Sequence, residues 1–198
     1  MKKRFKSNDK LVDYLKSQGR IRTKKVEEAF RKVDRKDFVH KEHEELAYVD
    51  RPVPINGVTI SAPHIVAEVT ELLEIQPGDT VLEIGSGSGY QAAIIGKIAS
   101  QVIGVELLED LAKESKAKVP SNVEIRTGNG FEEVQRDEVF SRILFSCTTK
   151  TFKEAHKYVK KDGIIVGPLR KDDEQILTKW KSGNTSEHGK VRYVEMQD

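Results

Sequence analysis

The sequence predicts an α/β protein: a mostly parallel central sheet with helices on both faces, a helical N-terminal cap and a C-terminal antiparallel hairpin. Three observations carry the prediction. Between residues 79 and 166, short apolar runs alternate with stretches whose apolar residues recur at helical spacing, as expected for parallel strands joined by right-handed crossover helices. The first run, Val81, Leu82 and Ile84, enters the glycine-rich turn Gly85-Ser86-Gly87-Ser88-Gly89. From Gln175 the pattern changes to period two, which suits antiparallel strands with one solvated face.

In chain order, Asn8 and Asp9 can cap a helix carrying Leu11, Val12 and Leu15, with Gly19 as its stop. Thr23 opens a second helix with Val26, Ala29, Phe30 and Val33 on one face, so residues 1–50 read as a helical cap. Residues 51–63 contain Pro52, Pro54, Gly57 and Pro63 and read as a long irregular loop, of the kind that more often binds a substrate than merely connects. Pro63 suits the first turn of the next helix, whose buried face is Ile65, Val66, Val69, Leu72 and Leu73 up to the Pro77-Gly78 stop. The segment 64–170 forms the core. Its strands are expected near 80–84, 101–105, 123–125, 143–145 and 164–166, and its helices over Ala92–Ile98, Leu107–Val119 and residues 151–160, the last with Phe152, Ala155 and Val159 inward. Segment 171–198 is the closing hairpin: Gln175–Trp180, a polar turn from Ser182 to Gly189, and Val191–Val194.

The length of 198 residues suits one domain with a full core. Lysines and arginines (34) nearly balance aspartates and glutamates (32), and the net charge of +2 does not advertise a nucleic-acid partner. The short run Lys2-Lys3-Arg4 with Lys6 reads as a solvated terminus. No apolar run is long enough to span a membrane and no secretory apolar segment opens the chain, while the one cysteine, Cys147, excludes an internal disulfide. The expectation is a cytoplasmic monomer.

The glycine turn carries the chemistry. A second apolar run ends on Glu106, twenty-one residues after Gly85, where an acid can accept hydrogen bonds from ribose hydroxyls. Dinucleotide folds prefer G-x-G-x-x-G with a pyrophosphate on the following helix, but here Glu83 stands two residues before a tight G-x-G-x-G. An acid there repels phosphate and suits a cationic amino-acid ligand, which points to S-adenosylmethionine. Its expected contacts are Glu83, Gly85, Ser86, Gly87, Ser88, Gly89, Glu106, Leu107, Asn129 and Gly130, all at or beyond strand ends.

Four stretches together are more selective than the glycine motif alone: Val33–Val39, Ala47–Asp50 with Pro54-Ile55, Thr59–Ala67 containing Ser61-Ala62-Pro63-His64, and Val81–Ala93. In these the chain resembles the protein-L-isoaspartate (D-aspartate) O-methyltransferase family across nearly its whole length, and Val191–Val194 resembles that family's closing strand. The resemblance implies a Rossmann-like methyltransferase that esterifies the stray carboxylate of isoaspartyl residues in damaged proteins. It places Ser61 at the family's active-site serine, with Pro54, Ile55, Ala62 and His64 as substrate-side neighbours. On its own residues Ser61 reads first as the cap of the following helix; with the resemblance it reads as a site serine that can also cap.

The chemistry is permitted by the residues themselves. A carboxylate is already a nucleophile and a sulfonium is already activated, so transfer needs positioning more than a general base. No metal is expected, since His40 and His43 lie on a charged stretch without further ligands. The chain departs from the family pattern at three places. Asn56-Gly57-Val58 is one residue short and lacks a glutamine, Gly128-Asn129-Gly130 replaces Gly-Asp-Gly, and Ser146-Cys147-Thr148-Thr149 replaces an alanine-rich run. Asn129 keeps a carbonyl that can accept from an adenine amino group. Alternative readings are a homologue acting on another carboxylate or on RNA, or one that only binds the cofactor or a partner. The RNA reading lacks an Asn/Asp-Pro-Pro-aromatic motif or a Pro-Cys.

Overall fold

The computed structural model describes residues 4–197, so Lys2 and Lys3 of the basic run lie outside the described residues. Helix α1 (Asn8–Ser17) is capped by Ser7, whose hydroxyl accepts from the Lys10 amide at 3.4 Å. Asn8 is not the cap: it is buried, and its amide donates to the carbonyls of Phe30 (2.8 Å) and Val33 (3.2 Å) at the end of α2 (Lys24–Lys32). This buried side chain ties the two cap helices together, alongside the ion pairs of Arg31 with Asp9 and Asp13 and of Lys16 with Glu27. Beyond α2, Arg35 is fully buried with its guanidinium 5.0 Å from the centre of the Tyr90 ring, tying the cap to the start of a core helix.

The segment read as an irregular loop contains a β-hairpin, β1 (Val53–Ile55) paired antiparallel with β2 (Val58–Ile60). Its two-residue turn is Asn56 (φ 42°) and Gly57 (φ 80°), both left-handed, the combination that matches strand twist in tight hairpins. The prolines do not prevent it. In a two-stranded ribbon Pro54 needs no partner on its outer side and sits opposite Thr59. Helix α3 (Pro63–Leu72) follows with Pro63 in its first turn, and it ends before the predicted Pro77-Gly78 stop, with Glu74 at φ 51°.

The core then alternates β3 (Thr80–Ile84), α4 (Tyr90–Gly96), β4 (Gln101–Glu106), α5 (Glu109–Lys116), β5 (Val123–Thr127), β6 (Phe140–Phe145) and β7 (Val159–Lys171), with β8 (Glu174–Lys181) and β9 (Asn184–Val191) last. The sheet order is β5-β4-β3-β6-β7-β8-β9, parallel through β7 and antiparallel after it. Successive residues of the central strands point to opposite faces. Val81, Val102, Leu144 and Val166 meet the cluster to which all five α-helices contribute. Leu82, Ile103, Ile143 and Ile165 meet an aromatic cluster instead, with Phe131 stacked on Tyr158 at 5.4 Å and Phe145 on Phe152 at 5.3 Å. Each fully buried side chain of this size contributes about 1.5–3 kcal/mol.

Short 3-10 turns, Gly130–Glu133 and Ala155–Lys157, serve this second face, the latter where an α-helix over 151–160 was expected. Phe152 and Ala155 are buried as predicted, but Val159 is taken into β7, where it pairs with Phe140. The closing hairpin also differs from expectation. Its turn is only Ser182 (φ 50°) and Gly183 (φ 83°), and the polar stretch read as a turn is the edge strand β9, almost wholly exposed. An edge strand is held by its ladder and does not require an apolar face. Residues 193–197 leave the sheet and lie along Thr148, whose amide donates to the Val194 carbonyl (2.7 Å) and whose carbonyl accepts from Met196 (2.9 Å).

Candidate active site

Strands β3, β4 and β6 converge at their C-terminal ends, and the turn after β3 is hung on β4: the amides of Gly85 (2.8 Å) and Ser86 (3.0 Å) both donate to the Val105 carbonyl. Gly87 sits at φ 56° with nothing within 4 Å of where a Cβ would stand. Glu106, at the end of β4, accepts from the amides of Gly87 (2.7 Å) and Leu108 (2.9 Å), which fixes the acid against the turn and leaves further lone pairs for a ligand. Gly85, Gly87 and Glu106 line a cleft of about 430 Å³ together with Leu107, Leu108, Asn129 and Gly130. The hairpin residues Gly57 to Thr59 and the terminal residues Val194 to Gln197 complete its walls.

A second, smaller cavity of about 50 Å³ shares Thr59, Gly85, Gly87 and Ser146 with the cleft and is also lined by Ser61, Glu83, Ser86, Ser88 and Tyr193. Glu83 is fully buried there. One of its oxygens accepts from the Ser146 hydroxyl at 2.6 Å, and the other, Oε2, has no partner. Burial pushes its carboxyl up to about 8; the Ser146 hydrogen bond opposes the rise and the nearby Glu106 charge adds to it. The Ser86 hydroxyl is likewise buried without a partner. Ser61 and Tyr193 line this small cavity together, and burial raises the Tyr193 phenol above its usual range.

The remaining predicted residues separate by role. Ser61 does not cap α3: Ala62 stands at the cap position, and the Asp50 carboxylate accepts from the His64 amide (3.0 Å) and pairs with the His64 ring (2.8 Å). The amides of Ile65 and Val66 donate to the Ala62 carbonyl, so the first turn of α3 has no amide to spare for a bound anion. His64, Pro54, Ile55 and Ala62 line neither cavity. Ile55 is a core residue at 2% exposure. Gly89 has a packing role, since a Cβ there would meet Val119 at 2.8 Å and Ser115 at 3.1 Å. Ser88 lines the small cavity and accepts from the Tyr90 amide at 3.3 Å.

Several wall residues escaped sequence reasoning. Thr59 lay in a quoted motif without a role, Leu108 follows the Glu106 signal by two residues, and Tyr193 belongs to a segment 132 residues after Ser61, which no local pattern relates to it. Cys147 lines the cleft, but burial pushes its thiol up to about 12, with Glu106 and Glu83 adding to the rise, so it is an inert side chain at neutral pH. His40 and His43 pair with Glu114 and Glu42 at the surface.

The residues present fit S-adenosylmethionine. A buried carboxylate oxygen without a partner suits an ammonium, Glu106 at a strand end suits ribose hydroxyls, and the open space at Gly87 lets a ligand approach the backbone.

Comparison with known proteins agrees with this geometry. The family model described as protein-L-isoaspartate (D-aspartate) O-methyltransferase matches residues 6–198. A protein-L-isoaspartate O-methyltransferase of Fervidobacterium nodosum is 38% identical over 188 residues, covering 88% of this chain and 94% of the relative. One of Pyrobaculum islandicum is 35% identical over 196 residues, covering 93% and 95%. Among solved structures, a Plasmodium falciparum protein described as an enzyme of this kind, in complex with S-adenosyl-L-homocysteine, shares the fold with a TM-score of 0.84 and 24% identity, covering 98% of this chain and 99% of that one. By family model and by relatives, the chain belongs to the protein-L-isoaspartate (D-aspartate) O-methyltransferase family.

Proposed function

We propose that this chain performs its family's reaction, methylating the free carboxylate of isoaspartyl residues in damaged proteins so that repair can begin, and that Ser61 receives that carboxylate. Bound S-adenosylmethionine supplies a methyl group already activated on a sulfonium. The chain's own residues do the rest by holding. Glu106 takes the ribose hydroxyls, the Asn129 side-chain carbonyl takes the adenine amino group, and Glu83 takes the ammonium. Ser61 donates to the incoming carboxylate, with Tyr193 beside it in the wall of the small cavity. No base is needed, because the carboxylate attacks as it is. We place the working unit in the cytoplasm as a monomer, a setting compatible with its single, buried cysteine.

One observation carries the reading: Ser61 and Glu83 line the same small cavity, which shares four residues with the Glu106 cleft, so a substrate donor and the cofactor acids meet at one place. The test is Ser61→Ala in single-turnover transfer to an isoaspartyl peptide. One oriented donor is worth a few kcal/mol in the transition state, so we expect transfer slower by roughly tenfold to a thousandfold with cofactor affinity nearly unchanged. Wild-type transfer per folded molecule would move the substrate site away from Ser61.

A further inference from the structure

Ser146 stands where the chain departs from the family's alanine-rich run, and its hydroxyl is directed at a buried acid. It belongs to both cavities, its amide is fixed by the Ile84 carbonyl at 2.8 Å, and its Oγ donates to Glu83 Oε1 at 2.6 Å. That contact occupies one oxygen of Glu83 and leaves Oε2, fully buried, with no partner. An isolated ionised carboxylate in such a place is costly, and a partnerless oxygen is a cost the fold retains for a ligand.

We propose that Ser146 is a positioning residue that orients Glu83 toward the ammonium of the cofactor's methionine part, and that cofactor binding drives a proton off Glu83, so that affinity falls as the solution is acidified. The inference rests on reading the cleft as the cofactor site. The O–H bond of the Glu83 carboxyl breaks, its electron pair stays on the carboxylate, and the proton leaves to solvent as the ammonium replaces it. Ser146 keeps donating to Oε1 throughout, favouring the ionised form.

The groups around Glu83 act in the same direction. Glu106, at the end of the neighbouring strand, is a second negative charge that discourages ionisation in the free protein. Tyr193, from the terminal segment, and Cys147, beside Ser146, are both held in their neutral forms by burial and supply no cation. The entering ammonium is therefore the charge that balances Glu83. With the Glu83 carboxyl at about 8 in the free protein, most molecules carry that proton at pH 7 and release it on binding.

Titration of S-adenosylhomocysteine into the protein by calorimetry, in buffers of different ionisation enthalpy between pH 6 and 7.5, counts the protons released. We expect close to one proton for the wild type, with affinity falling about tenfold per pH unit of acidification. Ser146→Ala, which loses the hydrogen bond to the ionised form, should bind roughly tenfold more weakly at pH 7, with its fall-off beginning about one pH unit higher. Ser146→Thr should restore both. Glu83→Gln should release no proton from this site and bind with an affinity flat across the range. A wild-type proton count near zero, or a Ser146→Ala protein indistinguishable from wild type, overturns the proposal while the cofactor site stands. No binding by the wild type at any pH overturns the cofactor reading itself, and this inference with it.

Discussion

A valine at Gly87 would place a branched side chain in the open part of the cleft and force a β-branched residue into φ 56°, where such residues are rare. No neighbouring atom lies within 4 Å, so the fold around it has nothing to rearrange. The expected outcome for Gly87→Val is loss of S-adenosylmethionine binding in a protein that still folds, with stability lowered by about 1–2 kcal/mol through backbone strain alone, read by calorimetry beside thermal unfolding. Undiminished affinity would detach the glycine turn from the cofactor. At this scale the sequence was most informative for groups close together in the chain. The turn, Glu83 and Glu106 were identified because a strand, a glycine turn and a second strand end recur at readable spacing. The meeting of Ser61 and Tyr193 at the small cavity was not, because two residues so distant in sequence come together only after the terminal segment has settled along Thr148.

The hairpin β1–β2 is a wall of the cleft, and its tip is fastened to the far side, where the Asn56 amide donates to Glu114 of α5 at 3.3 Å and His40 pairs with the same carboxylate at 3.2 Å. The hairpin is only three residues per strand, so its turn geometry matters more than its ladder. Gly57 at φ 80° has nothing within 4 Å, and an alanine there would suffer backbone strain alone. We expect Gly57→Ala to lower stability by about 1 kcal/mol, measured as a shift in the urea midpoint at unchanged slope. No shift would mean that the tip is free to adopt another turn. The Asn56-Gly57 pair is itself a hairpin signal, but the prolines on either side dominated the reading of this segment. The opposite error occurred at 151–160, where Val159, spaced as on a helix with Phe152 and Ala155, was claimed by β7, because joining a seven-stranded sheet offers more than a short isolated helix can.

For the molecule as a whole, Glu83 links stability to pH. Its carboxyl rises from 4.5 to about 8 on folding, and a group raised in this way contributes stability that is fully present below about 4.5 and lost as pH climbs through about 8. The unfolded chain ionises freely over that window while the cofactor-free fold must either keep the proton or bury a charge. Glu83→Gln removes this liability, so between pH 5 and 8 the wild type should lose stability relative to the variant, by a few kcal/mol at most. Melting curves of both proteins without cofactor across that window check it; a difference constant with pH would mean that Glu83 does not titrate there. The sequence by itself determined the parallel core, the glycine turn with its two acids, and the family, because hydrophobic periodicity and turn chemistry are local properties that survive into the folded state. Only the tertiary structure decided that Asp50 rather than Ser61 serves the start of α3, that Ile55 belongs to the core, that a polar stretch forms the edge strand, and that Ser146 reaches Glu83. Each of these depends on which distant group arrives to satisfy a buried polar atom or an open strand edge, and a chain read in one dimension does not contain that pairing.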